Sequence, residues 1–325
     1  MAALVEVDGL KKHFPVKGTI LESLRGQRQV VRAVDGVSFR LEQGESVGLV
    51  GESGCGKTTT GRLLLKLLEP TEGSIRFDSQ EVGALEGPEL KAFRRQVQLI
   101  FQNPFEALNP RFTVYRSLAE PLVNAGIPKD EHPERMHRAM EHVHLHDTDL
   151  YYDKFPHQLS GGQLQRVVLA RALVLEPSFV VADEPVSMLD VSVRAGILNV
   201  MREARDTLGL TAVYISHDLA LVRYVCERTI VMYLGKVMED GPTETVIKEP
   251  AHPYTQALVQ AVPTPHPDQS HDPLPIHGGV PDAKAPPSGC RFRDRCPHAF
   301  ERCALEEPKA RELAPGHVVY CHLHD

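Results

Sequence analysis

No window of the chain comes near the ~18–20 uninterrupted apolar residues that span a bilayer. Hydrophobic residues nevertheless make up 42% of its 325 positions. A membrane-spanning helix is therefore not expected, and any membrane association has to run through a partner. The opening stretch, residues 1–14, lacks the charged head and apolar run of a secretion signal, so a cytoplasmic chain is expected. An excess of positive charge is lacking as well. Lys and Arg number 36 against 43 Asp and Glu, a net charge of −7. That balance argues against a protein whose main business is gripping DNA or RNA by its phosphates, while leaving room for a local basic patch. A charged fraction of 24% is ordinary for a folded protein. The length suits one large domain plus something smaller.

What the chain does contain is most legible at Gly51–Thr58, GESGCGKT. The segment fits G-x-x-x-x-G-K-[ST]. It follows the apolar run Ser46–Val50 and precedes Thr59–Leu68, TTGRLLLKLL, whose apolar residues recur at helical spacing. Strand, glycine-rich turn and helix in that order are the context the motif requires. Glycines let successive N–H groups turn toward phosphate oxygens, and the helix N-terminus adds partial positive charge. Lys57 can reach the β- and γ-phosphates and the Thr58 hydroxyl can ligate Mg²⁺. With both flanks present, a nucleoside triphosphate site is the reading, over a chance glycine-rich loop.

Upstream, Leu4–Val7 and Val30–Leu41 are β-rich, separated by the polar segment Lys17–Gln29, which predicts a small antiparallel β subdomain. Phe14 lies there; it can stack on a base or fill the subdomain core. Ser74–Phe77 and Val97–Phe101 are further strands, and the second places Gln102 at a strand C-terminus, the edge that faces the ligand crevice in α/β sheets. From Thr113 to about Asp153 the pattern turns helical, with helices over Val114–Ala125 and Glu134–His144. His132, His137, His142, His144 and His146 fall on different helical faces and read as a solvated face rather than a metal site.

Leu159–Arg166, LSGGQLQR, opens another helix with Ser160 at the N-cap, a second anion-binding device. The strand-like run Phe179–Ala182 ends in Asp183-Glu184, the Walker-B pattern. An Asp there holds Mg²⁺ and the Glu can polarise attacking water. Ser187–Asp190 (SMLD) precedes a helix over Val193–Leu208. The strand Leu210–Ile215 leads to Ser216-His217-Asp218, where His217 can contact a γ-phosphate. Thr229–Tyr233 and Lys236–Glu239 form a closing hairpin. Residues 241–289 then hold eleven of the 25 prolines, with short helices expected over Thr243–Lys248 and Tyr254–Val262.

Four of the six cysteines, Cys290, Cys296, Cys303 and Cys321, crowd the last 36 residues. In a reducing compartment they suggest a thiolate metal site. Zinc modules bring tighter C-x₂₋₄-C pairs, and the wider spacing suits an iron–sulfur cluster at least as well. Arg291, Arg293, Arg295 and Arg302 would offset thiolate charge. Free thiols, a regulatory disulfide, or competition from His317, His322 and His324 stay open.

The phosphate loop, Gln102, LSGGQLQR, VVADE, SMLD and His217, in that order, resemble the ATP-binding subunits of ABC transporters over about residues 3–262. QNPFEALNPRFTV, AHPYTQAL and GCRFRDRCPHAFERC are similar to the dipeptide/oligopeptide/nickel-importer branch, in which the cysteine tail holds a 4Fe–4S cluster. The resemblance implies an α/β P-loop ABC ATPase domain over 1–240, with an N-terminal antiparallel β subdomain and a helical subdomain at about 103–175. A proline-rich regulatory or linker segment over 241–289 and a small Cys-rich iron–sulfur extension over 290–325 would follow it.

It also implies roles. Phe14 would stack on adenine, while Ser53, Gly54, Cys55, Gly56, Lys57, Thr58 and Thr59 would wrap the phosphates. Mg²⁺ would be held through Thr58, Gln102 and Asp183, and Gln102, catalytic together with Glu184 and His217, would sense Mg²⁺ or water and report to the membrane subunit. Ser160, Gly161, Gly162 and Gln163 would serve the ATP of a partner subunit. Asp190 would cross the dimer interface, Glu184 would be the catalytic base, and His217 would contact the γ-phosphate. The implied partners are a second, non-identical ATPase, two transmembrane permease subunits and an extracytoplasmic solute-binding protein, placing the chain at the cytoplasmic membrane face. A soluble ABC protein acting on nucleic acid or ribosomes is the rival reading, but no heptad run or second cassette is present. An exporter subunit is another.

Overall fold

Five consecutive closed-off residues make the strand Ser46–Val50. A run apolar on both faces belongs inside a parallel sheet. It pairs in parallel with Arg228–Tyr233, Val47 opposite Arg228 and Val50 opposite Val231. Gly48 has a steric reason, since a Cβ there would sit 2.2 Å from Val222 Cγ1. The computed structural model describes residues 3–16, 30–262, 276–279 and 281–325. The polar segment Lys17–Gln29 and much of the proline-rich tract lie outside these. By packing, the chain divides into two units. One comprises Met1–Leu4, Leu41–Ser46 and Ala84–Tyr214; the other comprises Val5–Arg40, Val47–Gly83 and Ile215–Asp325.

The unit that carries the phosphate loop contains the expected antiparallel subdomain. Its strand order is Val30–Glu42, Ala3–Pro15, Glu72–Phe77, Gln80–Glu81. The first strand is longer than the sequence pattern indicates, running thirteen residues from Ala3 to Pro15. It crosses Gly9, and its register against Glu72–Phe77 shifts between Asp8 and Lys11. The closing hairpin pairs Arg228–Tyr233 with Lys236–Pro242 around Leu234 and Gly235, both at positive φ. A finding the sequence did not suggest is that the end of the chain continues this sheet. His317–Val319 pairs antiparallel with the hairpin's second strand, and Arg311–Ala314 pairs with His317–Val319. Glu239, fully buried on that second strand, accepts hydrogen bonds from the Ala251 and His252 N–H groups and sits 2.8 Å from His317 Nε2. Both segments that follow the hairpin are thus tied to one buried carboxylate.

In the other unit, Val97–Ile100 and Phe179–Asp183 run parallel, Val97 opposite Phe179 and Ile100 opposite Ala182. The helix Val114–Ala125 starts at Thr113, whose side chain accepts from Arg116 N–H, and ends at Gly126 with φ 78°. Pro121 sits inside it. The helix predicted over Glu134–His144 spans His132–His142, closing Met136, Ala139 and Met140 inward. The helix Gly161–Leu173 is buried around most of its circumference, through Leu164, Gln165, Val167, Val168, Ala170 and Leu173. Each large apolar side chain closed off in this way contributes about 1.5–3 kcal/mol. The histidines have separate partners, apart from His144 and His146, whose rings stack 5.7 Å apart. His132 is buried with Nε2 3.0 Å from Ile127 O, His137 lies against Glu141, and His144 against Glu203. Among the described residues no helix is long and apolar enough to cross a membrane.

Candidate functional site

The phosphate loop begins where the strand Ser46–Val50 ends and closes at Gly56, the N-cap of the helix Lys57–Leu64. Gly56 has φ 106°, and a Cβ on it would lie 2.1 Å from Ala33 O. Only glycine fits that cradle. Glycine at the N-cap brings no side-chain oxygen of its own to the first-turn N–H groups. Ser53 and Gly54 form the exposed rim of the loop, while Cys55 turns inward. Burial pushes the Cys55 thiol up, with Lys57 opposing it. Lys57 is buried, and its ammonium donates to Gly51 O at 2.7 Å and Glu52 O at 3.0 Å. The cation is therefore held over the loop by the loop's own carbonyls. Phe14 is half-buried, with Lys12 Nζ 5.3 Å from its ring centroid. His217 is exposed at the end of the strand Thr211–Ser216, just before a helix capped by Asp218.

In the other unit, two residues 82 positions apart meet: Gln102 Nε2 donates to Glu184 Oε2 at 3.1 Å. Gln102 follows the strand Val97–Ile100 and Glu184 follows Phe179–Asp183, so parallel pairing of those strands brings the two side chains to one edge. Glu184 has φ 46°, a left-handed conformation for a non-glycine residue. Such strain costs of order 1–3 kcal/mol and clusters at functional sites. The turn that imposes it is pinned by Ser187, which donates to Glu184 O, and by buried Gln165, which donates to Pro185 O. Asp190 is exposed at the N-cap of the helix Val191–Leu208, and its carboxylate makes no capping bond.

Ser160 and Gln163 are engaged locally. Ser160 Oγ accepts from Gln163 N–H at 3.3 Å, and Gln163 Oε1 accepts from Ser160 N–H at 3.0 Å. This capping box still leaves the serine O–H as a donor. Gly162 packs so closely that a Cβ would sit 2.8 Å from Val193 Cγ1.

The tail draws its four cysteines together. Cys290, Cys303 and Cys321 are buried and Cys296 is half-buried. Burial pushes the Cys290 thiol up to about 12, with the other three thiols adding to the effect. Burial likewise raises Cys321 to about 11, with Cys296 and Cys303 contributing. The four are therefore near one another. Yet among the described residues no group of three or more His, Cys, Asp or Glu side chains is arranged to hold a metal ion.

The tail's histidines have other partners here: His317 is bound to Glu239, His322 to Asp325 and Glu306 O, and His324 to Ala251 O. Nor do the arginines serve simply as counter-charges to thiolates. Arg291 pairs with Asp35, Arg293 with Asp294, Arg302 with Glu306 and Asp325, and Arg295 with Glu52. The last pairing joins the tail to the phosphate loop. The sequence gives Glu52, Tyr254 and Phe292 no role beyond their places in GESGCGKT, AHPYTQAL and GCRFRDRCPHAFERC, and it offers Arg295 only as a counter-charge.

A glycine cradle ahead of a helix, a buried lysine over it, and a glutamine–glutamate pair at parallel strand ends are the apparatus of a P-loop ATPase. Residues 34–187 match the family model described as ABC transporter, and residues 238–303 match the oligopeptide/dipeptide transporter C-terminal region. A putative peptide import ATP-binding protein of Brucella ovis is 47% identical, covering 98% of this chain and 97% of its own. The dipeptide transport ATP-binding protein DppF of Haemophilus influenzae is 44% identical, with 98% and 96% covered. Among solved structures, the CbiO1 part of a Clostridium perfringens ABC transporter complex superposes with a TM-score of 0.65 at 26% identity, covering 77% of this chain and 92% of that one. An ATP-binding cassette in a dimeric, post-hydrolysis state with ADP and phosphate gives 0.63 at 28%, covering 74% and 98%. The chain belongs to the ABC transporter ATP-binding family, as an ATPase that also carries the C-terminal region of the oligopeptide/dipeptide branch.

Proposed function

We propose that this chain is the ATP-hydrolysing subunit of an importer for peptides or similar solutes. In this reading it works at the cytoplasmic membrane face with a second, non-identical ATPase, two membrane permease subunits and an extracytoplasmic binding protein. The Gln102–Glu184 hydrogen bond carries the catalytic assignment. Held by Gln102 and by a strained turn, the Glu184 carboxylate is oriented as general base for the attacking water. Lys57 and the first-turn N–H groups hold the β- and γ-phosphates, and Phe14 stacks on the base. Thr58, Gln102 and Asp183 would hold Mg²⁺, which when bound neutralises charge on the transferred phosphoryl group. His217 contacts the γ-phosphate. Ser160, Gly161, Gly162 and Gln163 serve the partner's nucleotide, the serine through its remaining O–H, and Asp190 crosses to the partner. The working segments are 1–240, with a helical part at about 103–175, then 241–289 and 290–325. The similarity of residues 238–303 to oligopeptide/dipeptide transporters and the relatives named for peptide import support import over export.

Replacing Glu184 by Gln should leave ATP binding intact and lower ATPase turnover of the assembled transporter by roughly 10²–10⁴-fold, the usual contribution of a general base. Near-normal turnover would overturn the assignment. For the tail, we propose that Cys290, Cys296, Cys303 and Cys321 close on a 4Fe–4S cluster, with zinc as the alternative metal. The burial of Cys290, Cys303 and Cys321 and the bond from Cys290 N–H to Cys303 O support a shared site. Iron and zinc content and the visible spectrum of anaerobically purified protein test this; zinc without iron would refute it.

A further inference from the structure

Glu52, the second residue of the phosphate loop, has each of its polar groups taken. Its carbonyl accepts from Lys57 Nζ at 3.0 Å. Its N–H donates to the Tyr254 hydroxyl at 2.8 Å. Its carboxylate accepts two parallel bonds from Arg295, at 2.6 Å from Nη1 and 2.9 Å from Nη2. Two of these three partners come from the C-terminal region, 202 and 243 residues away along the chain.

The partners are rigidly seated. Tyr233, Tyr254 and Phe292 are fully buried and mutually packed, with centroids 4.7 Å apart for the tyrosine pair and 5.3 Å from each tyrosine to Phe292. Arg295 is buried over this group, its guanidinium 5.6 Å from the Tyr233 ring. A fork-like, two-bond arginine–carboxylate contact from a buried guanidinium is geometrically specific in a way that an exposed ion pair is not. The loop's own bonds reach only the Glu52 carbonyl, from Lys57 and from Cys55 N–H, which leaves its N–H and carboxylate to Tyr254 and Arg295.

We propose that Arg295 and Tyr254 are positioning residues for the phosphate loop: they clamp Glu52 so that the loop is preformed for ATP, which makes nucleotide affinity depend on the seating of the C-terminal tail. This rests on the reading of Gly51–Thr58 as the ATP site. Cys290 and Cys296 flank the segment that bears Phe292 and Arg295, so a change at those cysteines reaches the loop through one side chain.

The test uses the full-length chain and its assembled transporter. Affinity is measured by displacement of a fluorescent ATP analogue with ATP, and KM and kcat are measured separately. Arg295→Gln and Tyr254→Phe are each expected to weaken ATP binding and raise KM about ten-fold, with kcat changed less than two- to three-fold, as loss of one charge-assisted or buried hydrogen bond implies. Arg295→Lys, which keeps the charge but not the fork, should recover part of the loss. The Glu52→Gln, Arg295→Gln double variant should cost no more than the worse single. Tyr254→Phe retains the ring and the ion pair, and decides the matter if Arg295→Gln does not fold. Wild-type affinity in both singles, or equal losses in kcat and affinity, would overturn the clamp. Failure of the wild-type chain to bind ATP would instead overturn the reading of the loop.

Discussion

Acid should weaken this protein through His252, and the size of the effect follows from its surroundings. The ring is buried, and burial, with His324 nearby, holds its pKa down at about 3 from an ordinary 6.5. Nδ1 accepts from Tyr254 N–H at 3.0 Å and caps the helix Pro253–Gln260, so the folded ring is neutral with its proton on Nε2. Between pH 6.5 and 3 the unfolded chain binds a proton that the folded one refuses. Stability therefore falls as pH falls through that window and is unaffected above it. From pH 6.5 to 5 the loss from this one group is about 2 kcal/mol, taking 1.36 kcal/mol per unit. The assay is urea unfolding at pH 7, 6 and 5, comparing wild type with His252→Asn, whose amide oxygen can still cap Tyr254 but does not titrate. The variant should lose about 2 kcal/mol less than wild type over the same interval. Identical acid losses would refute the reasoning. Because the folded ring stays neutral down to about pH 3, the Tyr254–Glu52 contact and the ATP affinity of the folded protein should not change through His252 over this range.

Further expectations bear on the loop and on the second anion device. Gly56→Ala forces a Cβ to within 2.1 Å of Ala33 O at φ 106°; ATP binding should fall at least ten-fold, with a stability loss of about 1–3 kcal/mol in denaturation. Ser160→Ala removes the acceptor for Gln163 N–H and should cost about 1 kcal/mol of stability, whereas Ser160→Gly should cost only a few tenths. Leu164→Ala, in the fully buried heart of its helix, should cost about 2–5 kcal/mol.

Much of this was legible in the residues alone, for a physical reason. A phosphate loop is a contiguous device: strand, glycines, lysine and helix start lie within a few residues, so local order suffices to specify it. The same holds for the N-cap at Ser160, for Asp183-Glu184 at a strand end, and for the helix Val114–Ala125. Three things depended on packing. The first is the meeting of Gln102 with Glu184, which needs the register of two strands far apart in sequence. The second is the fate of the tail's charged residues. Spacing suggested arginines as counter-charges and histidines as ligands, but each charged group settles on the nearest oppositely charged or polar partner in space, here Asp35, Glu52 and Glu239. The third is the short strand pair at Arg311–Val319, whose pairing with the core hairpin no local pattern announces. The sequence by itself determined the phosphate-loop motif and the family, because those signals lie within a turn or two of chain. Only the tertiary structure decided that Arg295 meets Glu52 of the phosphate loop, because that contact spans 243 residues.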